Sequence, residues 1–383
     1  MISAGLRERV ACPVCLEGGG CAACAAQGGH AETCARYRQR AGCPCGGVDK
    51  VRLIDEGDTL RCPCCGERYP VVESGGYLDL VPRASVGSVT RYADHEFHER
   101  LHVTDAPPVL SARVKADMMR RMLDTPTGAA VLDLGCGAGK MALYAAARGG
   151  RAAGIDLAPF FLPRAARDVE LVQGDLRRLP FRKGSFPRAF SLDVLEHLDE
   201  DGVTDVLTEA RRTVGPGGRL FVYTHAMESS RLARFQRAVN RLARRLGERG
   251  LIDHEREAMR KSDHVNAIRS HEHFDALCAA AGLVVTERRY YNVVFKAVVE
   301  DLLLRLYEQR RRGAASPRDG GASPHAHLDQ RPAGMDARPP GRLLLAVAQA
   351  LTWVLKLDVV LFAGIRTGPF FGLLRPSAGP ART

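Results

Sequence analysis

Residues Val131 to Lys140, reading Val-Leu-Asp-Leu-Gly-Cys-Gly-Ala-Gly-Lys, constrain the fold of this chain more than any other segment. An apolar run ends in an acid, Asp133, and Gly135, Gly137 and Gly139 follow at alternate positions. That order is expected where a buried parallel strand turns into a helix against a ligand. Without a Cβ the backbone turns sharply and a bound molecule can lie against it, and the helix beyond offers unpaired N–H donors. Dinucleotide-binding folds use a similar turn but leave two residues before their last glycine, a spacing absent here.

Four further segments follow in order. Arg151 to Asp156 reads as a short strand ending in an acid, and a carboxylate there can accept both ribose hydroxyls of a nucleoside-like cofactor. Gly174-Asp175-Leu176 follows the apolar Leu171-Val172. Phe190-Ser191-Leu192-Asp193-Val194-Leu195-Glu196-His197 comes next, and Glu209-Ala210-Arg211-Arg212 leads into Gly215-Pro216-Gly217-Gly218 and Arg219 to Val222. This succession resembles the class I S-adenosylmethionine-dependent methyltransferases, in particular the branch that includes the quinone-biosynthesis C-methyltransferases. The resemblance spans Val109 to Tyr291.

The resemblance implies an α/β fold: a Rossmann-like, seven-stranded, mostly parallel sheet with helices on both faces. Strands are expected at 129–133, 152–155, 169–172, 187–191 and 219–224, with a helix at 271–281 and a strand at 283–291. It implies S-adenosylmethionine as cofactor. Asp133, Gly135, Cys136 and Gly137 would shape the pocket for the methionine portion, and Asp156 with Leu157 would hold the ribose. Asp175 and the Leu176 N–H would take the adenine, and Asp193 would close the site. Each has a plainer reading alone: a tight turn for Gly135, a helix cap for Asp156, a turn residue for Asp175. The family often places an acid after Phe in the fourth strand, where this chain has Pro187.

Methyl transfer from a sulfonium is a direct displacement, so the chemistry asks more of positioning than of acid–base groups. Two bases are candidates. His197 has an unperturbed pKa suited to neutral pH, although Leu195-Glu196-His197 also reads as a helix start packed beneath the cofactor. His264, in Asp263-His264-Val265, precedes Arg269 to Phe274, where the family lines its acceptor pocket.

The whole chain carries a net charge of +11, and only seven of its 55 basic residues are lysines. Ten of its twelve cysteines precede residue 66. No apolar core region opens the chain, which points to a reducing, cytoplasmic setting and to metal rather than disulfides. Leu343 to Leu355 is uncharged over thirteen residues, short of the about twenty that span a membrane. No transmembrane span is expected.

Residues 1–42 form a cysteine-rich segment without evident regular structure. Residues 43–82 read as a small β-rich zinc ribbon, with structural zinc on Cys43, Cys45, Cys62 and Cys65 across a sixteen-residue loop. Cys12, Cys15, Cys21 and Cys24 form a second candidate quartet. The methyltransferase domain is expected over 83–310, with a basic helical insertion at 226–262. Residues 311–341, with five Pro and five Gly, read as a disordered loop. Residues 342–383 hold a helix and the last strand of the sheet, at Phe370 to Leu374.

The favoured function is methyl transfer to a small-molecule or lipid-like acceptor. A ribosomal-RNA base methyltransferase, with the ribbon binding RNA, is the alternative. A non-catalytic zinc-ribbon adaptor is a third reading. Leu232, Phe235, Val239, Leu242 and Leu246 share a helical stripe interleaved with arginines. That segment is either a lid with a solvated basic edge or a peripheral contact with a membrane or an anionic acceptor.

Overall fold

Val131, Leu132 and Leu134 are all buried, so strand β5 (Ala130–Leu134) carries apolar side chains on both faces. A parallel strand covered by helices on both sides requires this. The computed structural model describes residues 2–13, 52–63, 66–81, 106–252, 264–307 and 342–377.

A helix, α1 (Ala4–Arg9), opens the chain. Four short strands follow: β1 (Ile54–Asp55), β2 (Thr59–Arg61), β3 (Arg68–Val72) and β4 (Tyr77–Asp79). Helix α2 (Leu110–Leu123) leads into β5, and strand and helix then alternate through α3 (Lys140–Ala146), β6 (Arg151–Asp156), α4 (Pro163–Asp168), β7 (Glu170–Gln173), β8 (Arg188–Leu192), α5 (Glu200–Val214) and β9 (Arg219–His225). Beyond lie α6 (Ala233–Glu248), α7 (His271–Ala280), β10 (Leu283–Tyr290), and α8 (Val294–Val298) with a π-helical extension over Val299–Leu304. Helix α9 (Arg342–Leu361) and strand β11 (Pro369–Pro376) close the described chain.

The sheet order is β1-β2-β3-β4-β7-β6-β5-β8-β9-β11-β10. Strands β4 to β9 are parallel along this row wherever they meet. β11 lies between β9 and β10, antiparallel to both, so the chain returns to the sheet after the α9 excursion. Side chains alternate between two cores. Leu132 and Leu134 pack with Val203 and Leu207 of α5 and Leu277 of α7. Val131 faces the other way, toward Val114 of α2, Ala142 of α3 and Leu355 of α9.

Two expectations need correction. The β-rich module is not separate from the sheet: β4 pairs parallel with β7 and extends the seven strands β7-β6-β5-β8-β9-β11-β10 to eleven. The physical reason is the open edge of β7: uncovered, its amides and carbonyls would lack partners. Gly76 permits the approach, since a Cβ there would lie 2.8 Å from the Ala166 carbonyl oxygen of α4. The N-terminal segment is also not without structure. Ser3 caps α1, Leu6 and Val10 are buried in the first core, Val10 bridges Phe181, and Arg9 pairs with Glu170 at 2.7 Å. Its amphipathic run is a short helix, too brief to show a period. Cys43, Cys45, Cys65 and the 311–341 loop lie outside the described residues.

Candidate active site

Strands β7, β6, β5 and β8 run the same way, so their carboxyl ends share one sheet edge. The chain reverses its order across the sheet between β5 and β8, and ligands of open α/β sheets bind in the crevice at such a point. Asp133 lies in β5, Asp156 ends β6, Asp175 follows β7 and Asp193 follows β8. The sequence-expected cofactor residues therefore converge on one crevice.

The turn after β5 explains its glycines. Gly135, Gly137 and Gly139 have φ of +77°, +51° and +84°, a region side chains with a Cβ avoid. A Cβ on Gly135 would meet Val194 Cγ2 at 2.5 Å, whereas one on Gly137 would meet nothing within 4 Å. The first glycine lets the loop after β8 close in; the second borders open space. Cys136 is buried, and its N–H, like that of Gly135, donates to the Ile155 carbonyl.

Asp133 is buried, and its Oδ2 has no hydrogen-bond partner. Burial, and then the neighbouring Asp156 charge, pushes its carboxyl well above the ordinary range. Asp156 ties the crevice together: Oδ2 accepts the Gly137 N–H at 2.7 Å and Oδ1 the Ala158 N–H at 3.0 Å. The Leu157 carbonyl accepts from Gln173 Nε2 at 3.1 Å. Asp175 caps the 3-10 turn Leu176–Arg178 and holds Arg177 in an ion pair at 2.7 Å. Pro187 sits just before β8, where its carbonyl accepts from Arg219 and its missing N–H costs no ladder bond.

Across the crevice mouth, Asp193 adopts φ +56° and pairs both carboxylate oxygens with Lys115 Nζ, at 2.8 and 2.5 Å. Lys115 also lies 4.2 Å from the centre of the Tyr223 ring. The two histidine candidates meet: His197 and His264 stack edge to face with ring centres 4.7 Å apart. The Glu196 carbonyl accepts the N–H groups of Val265 and Asn266, which brings the segment after residue 263 to the β8 loop. The buried Glu196 carboxylate accepts from Thr224 Oγ1 at 3.1 Å and lies 3.4 Å from His225 Nδ1. Burial pushes this carboxyl up, but His225 outweighs it and leaves it below the ordinary range.

His225, Tyr223 and Lys115 also border the candidate site through Glu196 and Asp193, and sequence reading missed them. His225 had a usable signal, since it ends a parallel strand on the ligand edge. Lys115 had none, because its helix carries no motif. Asp193, Glu196 and His225 also offer three potential ligand atoms within 4.8 Å of one another.

A family model described as a methyltransferase domain matches residues 132–222. An uncharacterized 37.1 kDa protein in a transposon of Streptomyces fradiae is 36% identical over 131 residues, covering 32% of this chain and 36% of that protein. A ubiquinone biosynthesis O-methyltransferase of Xanthomonas oryzae is 35% identical over 120 residues, covering 29% and 48%. The chain thus spans from 36% to 48% of the length of these curated relatives. Among solved structures, phosphoethanolamine N-methyltransferase 2 of Haemonchus contortus aligns at 15% identity with a TM-score of 0.45, covering 76% of this chain and 61% of that one. The residues matched by the methyltransferase-domain model include strands β6 to β9 and most of β5.

Proposed function

We propose that this chain is an S-adenosylmethionine-dependent methyltransferase acting on a small-molecule or lipid-like acceptor. The observation that carries the reading is the coincidence of the methyltransferase-domain match with the crevice acids, from Asp133 to Asp193. The residues fit the cofactor. Asp133 holds a buried carboxylate oxygen without a partner, as a cationic amino group would satisfy, and Gly137 leaves room where a side chain would intrude. Asp156 fixes the Gly137 loop at the end of β6, where it would hold the ribose, and Asp175 with the Leu176 N–H would take the adenine.

When bound, S-adenosylmethionine supplies an electrophilic methyl group on a positively charged sulfur. The protein's task is then alignment, which accounts for much of the rate in a direct displacement. Lys115, held by Asp193 and Tyr223, gives the crevice mouth a fixed cation that can steady an acceptor oxygen. His264, with His197 against it, takes the acceptor proton as the oxygen or nitrogen forms its bond to carbon. The ubiquinone-pathway relative acts through an O-methyl transfer by name, which supports an acceptor hydroxyl. Incubation of the full chain with methyl-labelled cofactor and separate pools of metabolite extract, lipid extract and total RNA tests the reading. Label is expected in a small-molecule or lipid pool; label only in RNA, or in none, contradicts it.

A structural zinc belongs to the same proposal. Cys62 is fully buried at the end of β2, and its carbonyl accepts the Gly66 N–H in a tight turn with Gly66 at φ +79°. Cys12 is buried in the same core, its Sγ 3.0 Å from Tyr69 Oη on β3. Of the expected ligands Cys43, Cys45, Cys62 and Cys65 only Cys62 lies among the described residues, and Cys12, in the same buried core, is a further candidate.

A further inference from the structure

Helix α6 leaves part of its apolar stripe uncovered. The helix packs on α8 and the π-helical extension, and Leu232, Phe235, Val239, Leu242 and Leu246 recur at helical spacing along it. Ala243 is buried there and Val239 and Leu246 are half-buried, yet Phe235 and Leu242 each stay 47% exposed. They lie seven residues apart, on one edge of the outward face.

The rest of that face is cationic. Between Arg231 and Arg249 the chain has seven arginines and one acid, Glu248. All seven arginines are exposed, and among the described residues none lies within ion-pair distance of a carboxylate. Arg177, Arg212, Arg288 and Arg366 all hold acids. Arginines crowded on one helix face repel one another, and an anionic surface relieves that repulsion.

The adjoining helices carry the pattern on. α6 packs on α8, and α8 packs on α9. α9 buries Thr352, Leu355 and Asp358 while turning Trp353, Leu357, Val360 and Leu361 outward, with Trp353 at 69% and Val360 at 73% exposure. On the extension of α8, Leu303 is 53% exposed. Lys356 Nζ sits 4.3 Å from the centre of the Trp353 ring.

We infer that the outer helical layer of α6, α8 and α9 docks on an anionic lipid bilayer surface. Such surfaces attract clustered arginines, while aliphatic and aromatic side chains enter the headgroup boundary and tryptophan settles at the interface. A nucleic acid would also satisfy the arginines, but it offers nothing to Leu242, Val360 or Leu361. Among the described residues no helix is long and apolar enough to cross a membrane, so the contact is peripheral. The inference stands apart from the methyl-transfer reading and does not depend on it.

Trp353 is the chain's single tryptophan, so its emission reports this surface without labelling. The full chain is titrated with vesicles of phosphatidylcholine alone and of phosphatidylcholine with phosphatidylglycerol, following Trp353 emission and co-sedimentation. The expected result is a blue shift and co-sedimentation with the anionic vesicles, weakening as salt rises. Arg234→Ser with Arg241→Ser should lower the partition coefficient about thirtyfold, at about fivefold per arginine. Phe235→Ser with Leu242→Ser should lower it as well, with circular dichroism showing each variant folded. No blue shift with anionic vesicles overturns the proposal, as does unchanged partition of the folded arginine variant. Binding to RNA that matches the salt dependence while vesicles are ignored overturns it in favour of a nucleic-acid surface.

Discussion

Replacing Gly135 with alanine tests the crevice from its backbone upward. Gly135 has φ +77°, and a Cβ there would lie 2.5 Å from Val194 Cγ2 and 3.1 Å from Val194 Cγ1. Two penalties follow. Holding alanine in the left-handed region costs about 1–2 kcal/mol. The overlap with Val194 costs about 1–3 kcal/mol if the loop cannot give way. Gly135→Ala should therefore destabilise the chain by about 2–5 kcal/mol, read from urea unfolding. All the close atoms belong to Val194, so Gly135→Ala with Val194→Ala should recover the overlap penalty and leave the conformational one. Cofactor affinity should stay reduced in both variants, because the displaced loop carries the Gly137 N–H that Asp156 fixes. A single variant as stable as wild type, or a double variant no better than the single, would falsify this account of the turn.

Three further outcomes are expected. In single-turnover methyl transfer, His264→Ala should slow the chemical step about 10²–10⁴-fold while cofactor affinity holds; because its ring packs on His197, His197→Ala should give a smaller loss, and unaffected turnover in both would leave catalysis to positioning alone. Metal analysis of the full chain should find zinc that is lost in Cys62→Ser with Cys65→Ser, and a folded wild-type chain without zinc would contradict the zinc assignment. The Arg366 guanidinium, bonded at 2.6 Å to both Glu228 and Glu272, holds the Glu272 carboxyl at about 2 against an ordinary 4.5. A depressed carboxyl stabilises the fold above its unfolded value and loses that contribution as pH falls through its folded value. The stability gap between wild type and Arg366→Gln should thus shrink from pH 4.5 toward about 2, and a gap that persists there would contradict the assignment.

Much of the parallel sheet was legible because its strands are buried on both faces. The runs ending at Asp133 and Asp156 needed no tertiary knowledge to find, and β5 and β6 begin and end within a residue or two of expectation. The acids at the strand ends were legible for the same reason, since parallel strands fix which end meets a ligand. The union of the β-rich module with β7 was not, because β4 has only three residues and its partner lies far along the chain. The placement of Cys12 beside the module depended on α1, six residues long and without a visible period. Lys115 and His225 come from elements about 110 positions apart, and only the closed fold shows that both lie against the Tyr223 ring.

The central claim is that the crevice at the ends of β5, β6, β7 and β8 binds S-adenosylmethionine. Calorimetric titration of the purified full chain with S-adenosylhomocysteine, set beside the Asp156→Ala variant, tests it most directly. Asp156 supports both the Gly137 loop and the expected ribose site, so its removal should weaken binding by about 1–3 kcal/mol. The account predicts one saturable site per chain in wild type and a loss of that size in the variant. No heat of binding in wild type, or the same affinity in a folded Asp156→Ala protein, would contradict it.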